Sequence, residues 1–95
     1  EEPHYGKYGM MRKTYLKEYR PAMYSLYMLE DRLVEHLNLV DDEAQERIDV
    51  LMRQMMEKQG ITEEMKAHDQ MEWVRAVNNI RNAAEEIVHN EIIYK

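Results

Sequence analysis

The first 20 residues interleave tyrosines with lysines and arginines, a combination that can bind nucleic acid. From His4 to Arg20 the sequence has five cationic side chains and only one anionic side chain, Glu18. Cations bind backbone phosphates, and exposed aromatic rings can stack on unpaired bases. The residues that would make these contacts are Lys7, Tyr8, Arg12, Lys13, Tyr15, Lys17 and Arg20. The alternative, which helical tyrosine spacing favours, is an amphipathic helix whose tyrosines pack against the rest of the protein.

No set of residues matches a known catalytic centre or metal site. A recombinase with a nucleophilic tyrosine needs arginines and a histidine around the scissile phosphate, in a much larger fold. A metal-dependent transposase needs three carboxylates spaced on a β-sheet. No two of the four histidines have the i, i+3 or i, i+4 spacing of helical metal ligands, and there is no cysteine. We therefore expect no catalytic residues, no metal, no cofactor and no small-molecule substrate.

One pair near the C-terminus invites an enzymatic interpretation, because Arg81-Asn82 precedes His89. The pair is similar to the Arg…His pair of HEPN-type helical ribonucleases. Eight residues turn an α-helix by about 800°, which leaves the two side chains about 80° apart around the helix. We therefore favour a solvated helix face here, and a small ribonuclease-like enzyme is the least favoured hypothesis.

Proline, glycine and acidic residues divide the chain into the helices that would position these side chains. Pro21 predicts a break at Arg20, and Gly60 predicts a helix end. An acidic run beginning at Asp41 is typical of a helix start and predicts a third break. From Thr62 to Tyr94 there is neither glycine nor proline. We predict an all-α fold, a small bundle of about four helices with a long C-terminal helix.

Apolar residues recur three and four positions apart, which places them on one face of each helix. The predicted core consists of Leu26, Leu29, Leu33, Leu37, Ile48, Leu51, Trp73, Val77, Ile80 and Ile87. At 95 residues the chain is one domain, with a basic tyrosine-rich arm (1–20) on an acidic body (21–95). After Arg20 the sequence has eight positive and sixteen negative side chains, and the net charge is −6. That balance argues against non-specific nucleic-acid binding by the body.

The C-terminal helix predicts a protein interface. A helix from Thr62 to Tyr94 would be roughly 48 Å long, more than a globule of this size can cover. The predicted interface residues are Trp73, Asn78, Asn79, Arg81, Ile92, Ile93 and Tyr94. We therefore expect self-association, for which a two-fold dimer is the commonest form. No apolar stretch approaches the ~18–20 residues of a membrane span, so no membrane partner is expected. The lack of cysteine fits a reducing cytoplasm.

Several motifs, in order along nearly the whole chain, resemble the transposon-encoded TnpV family. They are Gly6-Lys7-Tyr8-Gly9, Tyr15-Leu16-Lys17-Glu18, Arg20-Pro21-Ala22, His36-Leu37, Glu46-Arg47, Gly60-Ile61-Thr62-Glu63, Asp69-Gln70-Met71, Trp73-Val74, Asn78-Asn79-Ile80-Arg81, Ala84-Glu85-Glu86-Ile87-Val88 and Ile93-Tyr94. The resemblance implies a bacterial mobile element as the genomic setting and carries over no catalytic residues. It also implies a basic residue where this chain has Ala83, and an additional N-terminal segment.

These observations lead to two main hypotheses of function. The first is a non-enzymatic accessory or interaction protein of a bacterial mobile element, with another protein or a second copy of itself as partner. The second is a small nucleic-acid-binding regulator that uses the basic N-terminal arm.

Overall fold

Helices account for nearly the whole chain in the computed structural model, which describes all 95 residues and confirms the all-α prediction. They are α1 (Lys7–Tyr19), α2 (Pro21–Leu29), α3 (Leu33–Gln59), α4 (Glu63–His68) and α5 (Gln70–Val88), followed by a π-helical turn, π1 (His89–Ile93). No helix combines the length and the apolar content that a transmembrane span requires.

Two of the three predicted breaks are confirmed, and the third is wrong. Pro21 is the first residue of α2, where its missing N–H leaves no helical hydrogen bond unmade. Gly60 ends α3 with a φ of 70°, a left-handed conformation that glycine adopts without strain. α3 runs through Asp41 without interruption. The chain breaks instead before Leu33, where Asp31 has a φ of 57°.

The C-terminal helix is long, but it does not begin at Thr62. Thr62 caps α4 by accepting a hydrogen bond from the backbone N–H of Met65 at 3.3 Å. The chain breaks again at Asp69, whose carboxylate accepts from the N–H of Glu72 at 3.1 Å and so starts α5. At the other end, π1 adds one residue to the helical turn, which returns Ile93 to the buried face five residues after Val88.

α3 is the central rod, and α1 and α5 both run antiparallel to it. Arg12 of α1 lies beside His36, so α1 covers the first half of α3. α5 returns along the second half after α4, and Glu91 reaches Arg47. α2 therefore lies at one end of the rod and α4 at the other. The molecule measures 55 × 25 × 19 Å, and its radius of gyration of 16.7 Å exceeds the roughly 12–13 Å of a globule of this length.

The core lies along both sides of α3, and half of the ten predicted core residues are buried. The larger cluster contains Val40, Ala44, Ile48, Leu51, Ala84, Val88 and Ile93, and the smaller one contains Leu16, Leu33 and Leu37. Ile80 is also buried, whereas Trp73, Val77 and Ile87 are half-buried. The prediction is wrong for Leu26 and Leu29, which are 51% and 85% exposed. The break at Asp31 turns α2 off the axis of α3, so the two leucines do not continue its apolar stripe.

Candidate interaction surface

The N-terminal arm is fastened to α3 by one buried side chain, that of Asn38. Its Oδ1 accepts hydrogen bonds from the backbone N–H groups of His4 (2.8 Å) and Tyr5 (3.0 Å). Its Nδ2 donates to a carboxylate oxygen of Glu1 (2.9 Å) and to the carbonyl of Glu2 (3.0 Å). Since both donors and both lone pairs are satisfied, Asn38 fixes the path of the arm.

A second α3 side chain caps α1 from outside that helix. Gly6 precedes α1 and offers no side-chain cap. Asp41 is 1% exposed, and its carboxylate accepts hydrogen bonds from the N–H of Gly9 at 2.8 Å and from the amide Nε2 of Gln45 at 2.6 Å. A carboxylate there satisfies an orphan amide and favours the helix dipole. Asp41 thus caps α1 and not, as predicted, a helix of its own. Gly9 is required here, because a Cβ at this position would overlap the side chain of Tyr5.

Arg12 holds the C-terminal end of the chain against α1. The side chain is 5% exposed and donates to the carbonyls of Ile93 (2.9 Å) and Lys95 (2.8 Å). These carbonyls lie at the negative end of the C-terminal helix, which favours a cation. Nε of Arg12 donates to Nε2 of His36 at 3.3 Å. Burial, aided by the charges of Arg12 and Arg32, lowers the pKa of His36, which keeps the imidazole a neutral acceptor.

The arm and α5 share a polar cluster centred on Glu85. Lys7 Nζ and the Tyr8 hydroxyl both donate to Oε2 of Glu85, at 2.8 and 3.3 Å. The hydrogen bond from Lys7 lowers the pKa of Glu85 and raises that of Lys7, while burial raises the pKa of Tyr8. The cluster borders a shallow depression of about 300 Å³, and His89 also lines this depression. Nε2 of His89 is buried and has no hydrogen-bond partner.

The structure divides the residues predicted to bind nucleic acid into two groups. Four of them contact groups within the chain: Lys7, Tyr8, Arg12 and Tyr15. Three form no ion pair: Lys13, Lys17 and Arg20. The ring of Tyr15 packs on that of Tyr94 at 5.3 Å, and Lys17 Nζ lies 5.5 Å from the ring of Tyr24. The arm therefore presents a smaller cationic surface than its composition suggests.

The two residues that suggested a ribonuclease line different depressions of the surface. Arg81 borders a depression with Tyr8 and Asp49, whereas His89 borders the separate depression next to Glu85. Nowhere in the chain do three or more metal-ligating side chains converge. Of the polar residues of α5, Glu85 contacts the arm directly.

The residues predicted for an interface on the C-terminal helix do not form one surface. Asn78, Asn79 and Arg81 are exposed, Ile92 is half-buried and Ile93 is fully buried. Trp73 is half-buried under Lys66, whose Nζ lies 4.6 Å from the indole ring. Because α1 and α3 pack around π1, Ile93 is covered without a second chain, and one reason for expecting an interface there is lost. Tyr94 remains exposed.

The largest exposed apolar feature is α2, which sequence analysis had assigned to the core. None of its nine residues is charged and none is buried. Met23, Leu26, Met28 and Leu29 all face solvent. The lack of charged residues in this segment could have indicated the exposure. A helix that is apolar on all sides cannot bury every side against one neighbouring helix.

An apolar groove lies on α1, at the same end of the rod. The α1 groove has a volume of about 580 Å³ and is lined by Met10, Met11, Thr14, Tyr15, Glu18, Tyr19 and Tyr94. Seven of the ten large exposed apolar side chains belong to α1, α2 or Tyr94. Exposed apolar surface is therefore concentrated at one end of the molecule, which we call the apolar end.

Comparison with protein families identifies the class to which this chain belongs. The family model of the transposon-encoded protein TnpV matches residues 1–93. The chain is therefore a member of the TnpV family and a mobile-element protein, as the motifs predicted. No curated protein and no solved structure matches it significantly.

Proposed function

We propose that this TnpV-family protein is a non-enzymatic accessory protein of its mobile element, and that it acts by binding another protein through α2. The observation that carries the proposal is an uncharged helix with no buried residue, in which Leu29 is 85% exposed. Monomeric soluble domains rarely expose contiguous apolar patches larger than a few hundred Å², and larger patches mark interaction sites.

The polar groups favour binding over catalysis. Asn38, Asp41 and Arg12 are buried and hydrogen-bonded to backbone groups of the two chain ends. Glu85 is paired with Lys7. Perturbed pKa values accompany functional sites, but structural networks also produce them. Here each perturbed group has a partner that explains its place in the fold.

Site-specific photo-crosslinking in cells that carry the element tests the proposal. A photoreactive residue at Leu29 should give protein adducts of defined mass. The control is Leu39 on α3, which is also an exposed leucine (55%) but lies outside the apolar end. Equal adduct patterns at Leu29 and Leu39, or none at Leu29, would contradict the proposal.

A second candidate, nucleic-acid binding, is supported by the three cations without ion pairs, Lys13, Lys17 and Arg20. A gel-shift titration of Lys17→Gln/Arg20→Gln against Arg53→Gln/Lys58→Gln separates local contacts from total charge, since both variants remove two cations. Nucleic-acid binding predicts weaker affinity and a lower salt dependence, by about 0.9 per lost phosphate contact, for the first variant only. Equal effects of the two variants would exclude a site on the arm.

A further inference from the structure

The apolar end contains an exposed helix, α2, and a concave groove on α1. α2 presents a row of methionine and leucine side chains, and the α1 groove is a concave surface formed mainly by methionines and tyrosines. A helix that lays an apolar face into an apolar groove is a common mode of protein recognition. α2 is not in the α1 groove of its own chain, since none of its residues lines that groove.

One charge of the groove also has a complement beside α2, within an arm that is otherwise basic. Glu18 is the only charged residue that lines the α1 groove. α2 has no charge of its own, but Arg20 immediately precedes it and Arg32 follows within three residues of its end. An α2 helix entering the groove from outside would therefore bring an arginine towards Glu18. Outside this end the chain is strongly acidic, and two such bodies repel each other.

A dimer that uses both surfaces would cover more exposed apolar side chains than one that uses α2 alone. A stable interface buries about 800 Å² on each partner. α2 alone presents only four large apolar side chains, whereas α2 and the α1 groove together present seven, two of them tyrosines. The combined surface therefore comes closer than α2 alone to the area that a stable dimer buries.

We propose that a second copy of the chain covers the apolar end, in a two-fold dimer in which α2 of each copy docks in the α1 groove of the other. Two-fold symmetry uses each surface once per chain and leaves neither open to a third copy. The inference rests on the proposed function, because it names the partner of the same helix.

Sedimentation of the purified chain tests the dimer, at concentrations up to about 100 µM, where even a micromolar interface is mostly occupied. The chain should sediment with twice its 11.6 kDa mass. Leu26→Glu should weaken association at least tenfold, whereas Leu39→Glu, which introduces the same charge at a similarly exposed leucine, should not. Circular dichroism verifies that both variants are folded. A monomeric wild-type chain, or equal effects of the two substitutions, would overturn the proposal.

Mixing two monomeric variants tests the docking of helix into groove. Leu26→Glu leaves the groove intact, and Tyr19→Glu leaves α2 intact. In a dimer of either variant alone, both helix–groove contacts are disrupted. In a mixed dimer, the intact α2 of the Tyr19→Glu chain can dock in the intact groove of the Leu26→Glu chain, so one of the two contacts is regained. The mixture should therefore associate more tightly than either variant by itself. If α2 instead pairs with α2 of the other copy, mixing restores nothing and the proposal is overturned.

A charge exchange tests whether Arg20, the arginine that immediately precedes α2, approaches Glu18 of the other copy. Glu18→Arg and Arg20→Glu should each weaken the dimer several-fold, and the double variant should recover most of the loss. If the double variant dimerises as weakly as the single variants, or if its loss of affinity equals the sum of theirs, the proposed orientation is contradicted. The dimer proposal fails alone if the purified chain is monomeric while Leu29 still gives adducts with another protein in cells. The proposed function fails as well if Leu29 gives no protein adduct.

Discussion

An Asp41→Ala substitution should destabilise the protein far more than a neighbouring change, because Asp41 joins two distant helices. The carboxylate is 1% exposed and accepts from the N–H of Gly9 in the first turn of α1. Its removal deletes an N-cap, which costs about 0.5–2 kcal/mol, and leaves a buried amide without an acceptor, which costs about 1–3 kcal/mol. Because both estimates count the same hydrogen bond, they do not simply add. We expect the free energy of unfolding to fall by about 2–3 kcal/mol. In a domain of this size that lowers Tm by roughly 10–20 °C.

Urea unfolding measures the loss, and hydrogen exchange in α1 locates it. Asp42→Ala is the matched control, because the Asp42 side chain is 63% exposed and pairs only with the exposed His4. That surface pair should contribute about 0.5 kcal/mol or less. α1 amides should exchange faster in Asp41→Ala but not in Asp42→Ala. If the two substitutions have the same effect on stability, then Asp41 does not hold α1 in place.

Two further predictions concern the same fastening of the arm. The pKa of His36 is lowered by burial and by the charges of Arg12 and Arg32, so stability should fall as pH drops below the unfolded value near 6.5, towards the folded pKa. His36→Gln retains a hydrogen-bond acceptor but cannot be protonated, so it should flatten the pH dependence of Tm. If the Tm profile is unchanged in this variant, His36 is not the cause of the pH dependence. Gly9→Ala should destabilise the fold by more than 1 kcal/mol, about the cost of overpacking, because the new Cβ overlaps a neighbouring side chain. Gly6→Ala, which meets no atom within 4 Å, is its control in thermal unfolding, and equal melting temperatures would refute the steric argument.

Local sequence signals were sufficient for the helix boundaries at Pro21 and Gly60, because those residues act on their own backbone. The break at Asp31 was missed because no proline or glycine marks it, and because the spacing from Leu29 to Leu33 fits a continuous helix. The break at Asp69 had a readable signal, an aspartate three residues before Glu72, which is the spacing of a capping box.

The roles of the polar residues depend on contacts that are distant in sequence. Asp41 precedes acidic residues and so resembles a local cap, yet it caps a helix 32 positions away. Arg12 would ordinarily be solvated, but it is buried because the C-terminal carbonyls supply its acceptors. No spacing rule within one helix predicts such partners. The apolar end was missed for a similar reason, since the exposure of Leu26 depends on where α2 points after the chain turns.

Hydrogen exchange of α2 as a function of chain concentration tests most directly the central claim that this helix binds a second copy of the chain. α2 lacks buried side chains, so its amides should exchange readily in the free chain. Between about 1 and 100 µM, protection should rise in Met23–Leu29 and in the residues of the α1 groove, while the middle of α3 stays unchanged. Exchange in α2 that does not depend on concentration would contradict self-association through this helix.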